Sequence, residues 1–308
     1  MIEHTGISVL VLTYNHEKYI ERCLEGIFAQ DYSGPVEVVI SDDASRDATV
    51  ELVRKFAEKA PEVSLKLNVN QKNIGAARNF EKALSRCTMP YVAFCEGDDF
   101  WILSKKLSLQ AAVLDANPGT TLVYTNYSKA NDAGEITVEK TLKNPPDQFT
   151  FEDLMLSHGP STNAVMLRRN VLDGPFPEGF YKVPNPDVFI FSPALLSGTA
   201  HCIDVSASTY RIHEGGIWSS LNPQEQKLIR LSTRLAVLKS LPRKRRYEFR
   251  EIELKLERRF TAAMQKLSEV GDDLFTAYAM HLPAAKLRLM AWRKKLRGWK
   301  RAASGKRH

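Results

Sequence analysis

Two hydrophobic patterns alternate along the first 130 residues. A short apolar, β-branched run occupies residues 7–13, and further strand-length stretches with apolar residues occupy 36–41, 63–69, 91–95 and 121–127. Runs of that length and composition predict buried strands. Between them, apolar residues recur at helical spacing. Tyr19, Ile20, Cys23, Leu24 and Ile27 do so within residues 16–30, and Val50, Val53, Phe56 and Ala57 within 47–60. Residues 74–84 and 105–116 predict two more helices, the second closed by Asn117-Pro118-Gly119. Strands alternating with helices imply βαβ units and a mostly parallel sheet flanked by helices, an α/β fold. Ligands of such sheets bind at the carboxyl ends of the strands.

Beyond residue 131 the pattern loosens. Pro145-Pro146 and a Pro/Gly-rich stretch over 174–186 mark loops, residues 161–167 and 201–212 predict strands, and 188–196 an apolar helix. From Pro223 the chain predicts helix over 224–240, 246–270 and 284–303. The domain organisation expected is therefore an α/β body over 1–222 and a helical C-terminal extension over 223–308.

Charge sharpens that division. The net charge of +7 splits into 23 Lys/Arg against 8 Asp/Glu over 224–308, and 20 against 28 over 1–223. An acidic body with a basic tail points to two parts with different work. Cys23, Cys87, Cys95 and Cys202 form no CxxC pair, so reduced thiols are expected rather than a zinc ribbon or dithiol site. No basic leader precedes the first apolar run and no stretch approaches ~20 apolar residues, which predicts a cytoplasmic protein with no membrane span. In a helix over 284–303, Leu289, Trp292, Leu296 and Trp299 share one side, and Arg293, Lys294, Arg297, Lys300 and Arg301 lie largely on the other. That segregation predicts an in-plane helix on an anionic membrane surface through 284–308, peripheral on the cytoplasmic face. A helix docked on its own domain is the alternative. Nucleic acid is not expected, because its binding wants aromatic and basic residues interleaved on one face.

Polar clusters sit where a parallel sheet would hold its ligand. Thr13, Tyr14 and Asn15 follow the first strand, Asp42 and Asp43 the second, and Glu96, Asp98 and Asp99 the fourth. Three carboxylates in four positions repel one another unless a cation joins them. Hard oxygen donors suit Mg²⁺ or Mn²⁺, with substrate phosphates completing the shell. An aromatic ring beside an acidic acceptor suits a nucleotide diphosphate. One of Asp43, Ala44 and Ser45 is expected to cap the following helix as well. The chain lacks GxxxxGK[ST] and GxGxxG, which excludes a P-loop and a dinucleotide fingerprint.

The segments VLVLTYN, VVISDDASRD, NIGAARN, FCEGDDFW, PNPD and YRIHEGGIWS, in this order from Ile7 to Ser220, resemble family 2 of the inverting glycosyltransferases, with the GT-A fold. The resemblance implies a nucleotide-sugar donor, usually UDP-linked, a divalent metal, and a glycan or lipid-linked acceptor. It places the nucleobase at Thr13, Tyr14 and Asn15, base or ribose at Asp42, the nucleotide pocket at Asn73 and Arg78, and ribose and metal at Asp98 and Asp99. Glu96 stands where many relatives have Asp, so its part in holding the metal stays open. Inversion also needs a base for the acceptor hydroxyl. Asp187 of PNPD fits that role, with helix capping as the alternative. Arg211 and His213 alternate on a predicted strand and share a face. Arg211 suits the diphosphate, and His213 suits metal or phosphate. A sugar-nucleotide nucleotidyltransferase is a rival, though LTYNHEKY lacks the glycine-rich basic loop of such enzymes. A non-catalytic binding protein recruited by its basic tail is another.

Overall fold

The early apolar runs form strands in the order their pattern predicts. β1 (Ile7–Thr13), α1 (Ile20–Phe28), β2 (Val36–Asp42), α2 (Thr49–Lys59), β3 (Ser64–Val69), α3 (Ala76–Leu84) and β4 (Tyr91–Glu96) alternate along the chain. The structure is a computed structural model describing residues 4–59, 64–157, 159–216 and 218–267, the last three without their side chains. The helix expected over 284–303, with its membrane-facing side, lies outside the described residues.

β1 pairs in parallel with β2 on one edge and β4 on the other, and β2 pairs in parallel with β3. Flanked on both edges and covered on both faces, β1 has no polar side to alternate with. Ile7, Val9 and Val11 pack in one cluster with Ile20, Cys23, Leu24 and Ile27 of α1 and Val53 of α2. α3 lies against β1 and β2 and carries Phe80, whose ring meets Phe94 at 5.8 Å.

The chain continues through β5 (Phe100–Trp101), α4 (Lys106–Ala116), β6 (Thr120–Ala130), β7 (Ile136–Val138), β8 (Gln148–Phe149), α5 (Phe151–Leu156), β9 (Val165–Arg168), α6 (Asp187–Ser197) and β10 (Thr199–Arg211). The sheet runs β3-β2-β1-β4-β9-β6-β10-β5, with β7 on β6 and β8 on β10. Its long ladders are parallel, including β6 with β10. The antiparallel ladders, of two or three residue pairs, are the short ones. The strand expected over 161–167 is a 3-10 turn (Thr162–Ala164) followed by β9, which lies antiparallel between β4 and β6. The result is a mixed α/β sheet flanked by helices.

The chain divides into two compact units, Met1–Leu221 and Asn222–His308. In the second, α7 (Pro223–Ser240) starts at a capping box in which Asn222 and Glu225 satisfy each other's backbone N–H groups, with Pro223 in the first turn. Leu228, Leu231, Leu235 and Leu238 are buried at helical spacing, as are Ile252, Leu256, Phe260 and Met264 of α9 (Arg250–Leu267), and α7 packs against α9. The single helix predicted over 246–270 breaks at Phe249, which separates α9 from a short α8 (Arg243–Glu248). Glu253 holds that break, since its buried carboxylate takes Arg246 from one side and Arg250 from the other. Among the described residues no helix is long and apolar enough to cross a membrane.

Candidate active site at the carboxyl ends of the parallel strands

Register sets the floor of the site. Thr13 pairs with Asp42, and Leu12 pairs with Glu96, so β1, β2 and β4 end level with one another. Here the strand order reverses direction, where open α/β sheets leave a crevice for ligand. The loops leaving the three strands are stitched together. Asn15, at φ 56, donates its N–H to Ser45 Oγ at 2.8 Å and accepts from Arg46 N at 2.9 Å. Tyr14, 40% exposed, stands clear of these bonds at the rim.

The acids of the second strand have structural partners. Asp42 is fully buried, and its two carboxylate oxygens close a turn by accepting from the N–H and Oγ of Ser45. Asp43 accepts from the N–H groups of Ile74 and Gly75, each at 2.9 Å, and from Asn70 Nδ2. It thereby positions the loop that carries Asn73. Neither they nor Ser45 caps α2, which begins at Thr49; Asp47 accepts from the Thr49 N–H and hydroxyl there. Asn73 and Arg78 are exposed, Asn73 accepting from Gly75 N and Arg78 lying 5.1 Å from the Tyr181 ring.

The acidic loop after β4 divides its carboxylates by task. Asp99 is turned inward: one oxygen accepts from the Arg211 N–H at 2.9 Å and the other from Asn163 Nδ2 at 2.7 Å. Burial and the charges of Asp98 and Glu96 push its pKa well above the usual carboxylate range. Asp98 instead meets His213 Nε2 at 3.1 Å, with His16 Nε2 at 3.7 Å. Burial by itself would raise Asp98, but the hydrogen bond from His213 and the nearby imidazoles outweigh it and hold the group low. His16 is held below its ordinary 6.5, chiefly by burial. Glu96 is pushed up to about 8 by burial first and then by Asp98, with Asp187 contributing from the start of α6. The structure thus brings Glu96, Asp98, Asp187 and His213 into one electrostatic neighbourhood. Asp187 is the first residue of α6, and the capping position itself is taken by Pro186.

Arg211 departs from the expected role. It is 4% exposed, donates from Nε to the Asp98 carbonyl and from Nη1 to the Asp132 carbonyl, and lies between the rings of Tyr19 and Phe100. It braces the acidic loop rather than facing an open pocket. Sequence reasoning passed over His16, Asn163 and Asp132. His16 directly follows the polar strand end at Asn15, a signal that was legible; Asn163 and Asp132 join the site only through tertiary folding.

A divalent cation can be tested against these donors. Among the described residues no three His, Cys, Asp or Glu side chains gather closely enough to hold an ion by themselves. The Asp98 carboxylate and His213 imidazole offer two ligands, and the raised Glu96 marks a surplus of facing carboxylates. That set fits Mg²⁺ or Mn²⁺ held by few protein ligands, with phosphates and water supplying the rest.

The architecture is that of a GT-A protein: a mixed sheet with level parallel strand ends and an acidic loop above them. The chain belongs to glycosyl transferase family 2, whose model matches residues 8–174. It shares 31% identity over 221 residues with an uncharacterized protein of Mycobacterium tuberculosis, covering 72% of this chain and 63% of that one. The chain thus spans under two thirds of that relative's length. It is 27% identical over 216 residues to the UDP-Glc:alpha-D-GlcNAc-diphosphoundecaprenol beta-1,3-glucosyltransferase WfgD of Escherichia coli, covering 70% of this chain and 80% of that enzyme. In fold it is similar to S. aureus TarS 1-349 in complex with UDP-GlcNAc (TM-score 0.60, 21% identity, 83% of this chain and 73% of that one). The mannosyltransferase PcManGT from Pyrobaculum calidifontis, in complex with GDP-Man and Mn²⁺, is similar as well (TM-score 0.58, 20% identity, 97% and 84% covered).

Proposed function

We propose that the chain is a metal-dependent inverting glycosyltransferase. It moves a sugar from a nucleotide diphosphate, UDP-linked, to a hydroxyl of a glycan or lipid-linked acceptor in cell-surface polysaccharide synthesis. The observation that carries this is the meeting of Asp98 with His213 in the loop above the level ends of β1, β2 and β4. WfgD, named for a UDP-glucose donor and a diphosphoundecaprenol acceptor, supports the donor and acceptor classes. Asp98 and His213 would hold Mg²⁺ or Mn²⁺, with Glu96 beside them; a bound ion would supply Lewis-acid stabilisation of charge on the leaving diphosphate. Asp187 takes the acceptor's proton as its oxygen attacks, since an attacking hydroxyl must lose that proton. In this reading the exposed Tyr14 stacks on the base, and the exposed Asn73 and Arg78 contact the nucleotide. Residues 1–222 act as the catalytic domain, and the basic stretch 284–308 holds the enzyme on an anionic membrane surface by apolar burial and charge.

Calorimetry of UDP and GDP with and without Mn²⁺, on the wild type and on Asp98→Ala, tests the core of the proposal. UDP is expected to bind more tightly with Mn²⁺, and Asp98→Ala to abolish that gain. Equal UDP binding with and without the metal in the wild type would remove the metal from the function.

A further inference from the structure

The turn after β6 reaches back to the acidic loop. Residues 131–135 are held by their own bonds: Gly134 N to Asn131 O at 2.9 Å, Asn131 N to Glu135 O at 3.0 Å, and Asn131 Nδ2 to Glu135 Oε2 at 2.8 Å. Gly134 has φ 85, which L side chains rarely adopt, and a Cβ there would lie 2.9 Å from Arg211 Nη1 and against Arg22 Nη1. From this turn Asp132 makes two contacts. Its carboxylate accepts from Tyr19 OH at 2.5 Å, and its carbonyl accepts from Arg211 Nη1 at 2.8 Å.

Tyr19 lies between two groups that hold Asp98. One side of its neighbourhood is the Arg211 guanidinium, 4.9 Å from the ring centroid; the other is the His213 imidazole, at 4.6 Å. Arg211 holds the Asp98 carbonyl and His213 holds its carboxylate. Burial and the Asp132 carboxylate push the Tyr19 phenol up to about 12, so it remains a donor throughout the working range. Phe100 backs the assembly, with Arg211 at 5.0 Å and Arg22 at 3.9 Å from its ring. The Tyr19 hydroxyl is therefore bonded to the turn, and its ring lies against both groups that orient Asp98.

We propose that Tyr19 and Asp132 are positioning residues: the turn at 131–135 sets the Tyr19 ring, and through it the placement of His213 against Asp98. This rests on the proposed function for its catalytic meaning, because Asp98 and His213 are the pair assigned there to the metal. Neither Tyr19 OH nor the Asp132 carboxylate is a ligand in that assignment. Their influence passes through the His213 ring.

Two measurements on the whole chain carrying Tyr19→Phe, Asp132→Ala or both test the proposal. The first is the imidazole nitrogen spectrum of His213 at pH 7 without nucleotide or metal. Its signals should move alike in both single variants, while those of His201, at the opposite end of β10 from Arg211, stay in place. Unmoved His213 signals overturn the proposal. The second is UDP affinity in the presence of Mn²⁺. It should fall about tenfold in each single variant, the worth of one hydrogen bond to a charged group. The double variant should be no worse than either single, because both remove the same contact. Lower melting temperatures with wild-type Mn²⁺-dependent affinity would make the contact ordinary structural support and overturn the proposal. If the wild type itself shows no metal-dependent binding, the functional reading fails and the His213 signals alone decide whether Tyr19 and Asp132 position His213.

Discussion

Glu37→Gln is expected to destabilise the first unit by about 2 kcal/mol at neutral pH, and the loss should vanish in acid. Glu37 is buried at 1% exposure on β2, beside its registered partner Ser8 on β1. Its Oε1 accepts from Ser8 Oγ at 2.5 Å and from Thr88 N at 2.6 Å; its Oε2 accepts from Lys66 Nζ at 2.5 Å and Thr88 Oγ1 at 3.0 Å. Glutamine keeps one carbonyl oxygen for Ser8 and Thr88 N but turns an amide N–H₂ toward Lys66. Hydrogen bonds to a charged group contribute about 1.5–3 kcal/mol, against about 1 for neutral ones. The half-exposed Lys66 can turn to water, so its share is small. A figure of about 2 kcal/mol remains, or roughly 4–8 °C in melting temperature for a unit of this size. Burial alone would raise the pKa of Glu37, yet the bonds from Lys66, Ser8 and Thr88 win and hold it below 4.5. A folded pKa below the unfolded one gives stability that is complete above the unfolded value and lost as pH falls through the folded value. Urea unfolding of both proteins from pH 8 to pH 3 should therefore show a constant gap down to about pH 4.5, closing below it. A gap already closed at pH 6 would mean that desolvation outweighs the hydrogen bonds, and the reasoning fails. Turnover per folded molecule should not change, because Asp42 lies five residues up the strand, about 17 Å away.

Two further outcomes are expected. Asp187→Asn should keep UDP affinity and fold while losing roughly 10²–10⁴-fold in transfer rate; a lowered melting temperature with normal turnover would assign Asp187 to helix stability alone. Full-length protein should co-sediment with anionic vesicles in a salt-sensitive way, and a 1–283 truncation should not; equal behaviour of the two would remove the membrane role from the tail.

The central strands β1, β2 and β4 were legible because they are buried along almost their whole length and read as largely apolar runs, whereas β3 at the edge alternates Leu with polar residues. β5, β7 and β8 were not, since two or three residues are too few to show a period of two. The antiparallel entry of β9 between β4 and β6 is a matter of long-range pairing that local pattern does not carry. The division of α8 from α9 has no glycine or proline at Phe249 to announce it; the buried Glu253, taken by Arg246 and Arg250, accompanies it. At the site, Asp98 and His213 were readable as chemistry, and they do meet. The acids whose oxygens are taken by backbone N–H groups and by Ser45, Asn70 and Asn163 are not told apart in sequence: Asp42, Asp43 and Asp99 differ from Asp98 in partners that only the fold supplies.

The level ends of β1, β2 and β4 constrain how such a chain can diverge. One residue inserted inside any of these strands reverses the facing of every side chain beyond it. It also lifts that strand's loop out of line with the other two. Residues added between the strands leave all three ends where they are. Length variation among homologues should therefore be confined to the links between these strands and to the loops beyond β6. The spacing from Ile7 to Thr13, from Val36 to Asp42 and from Tyr91 to Glu96 should behave as a fixed ruler.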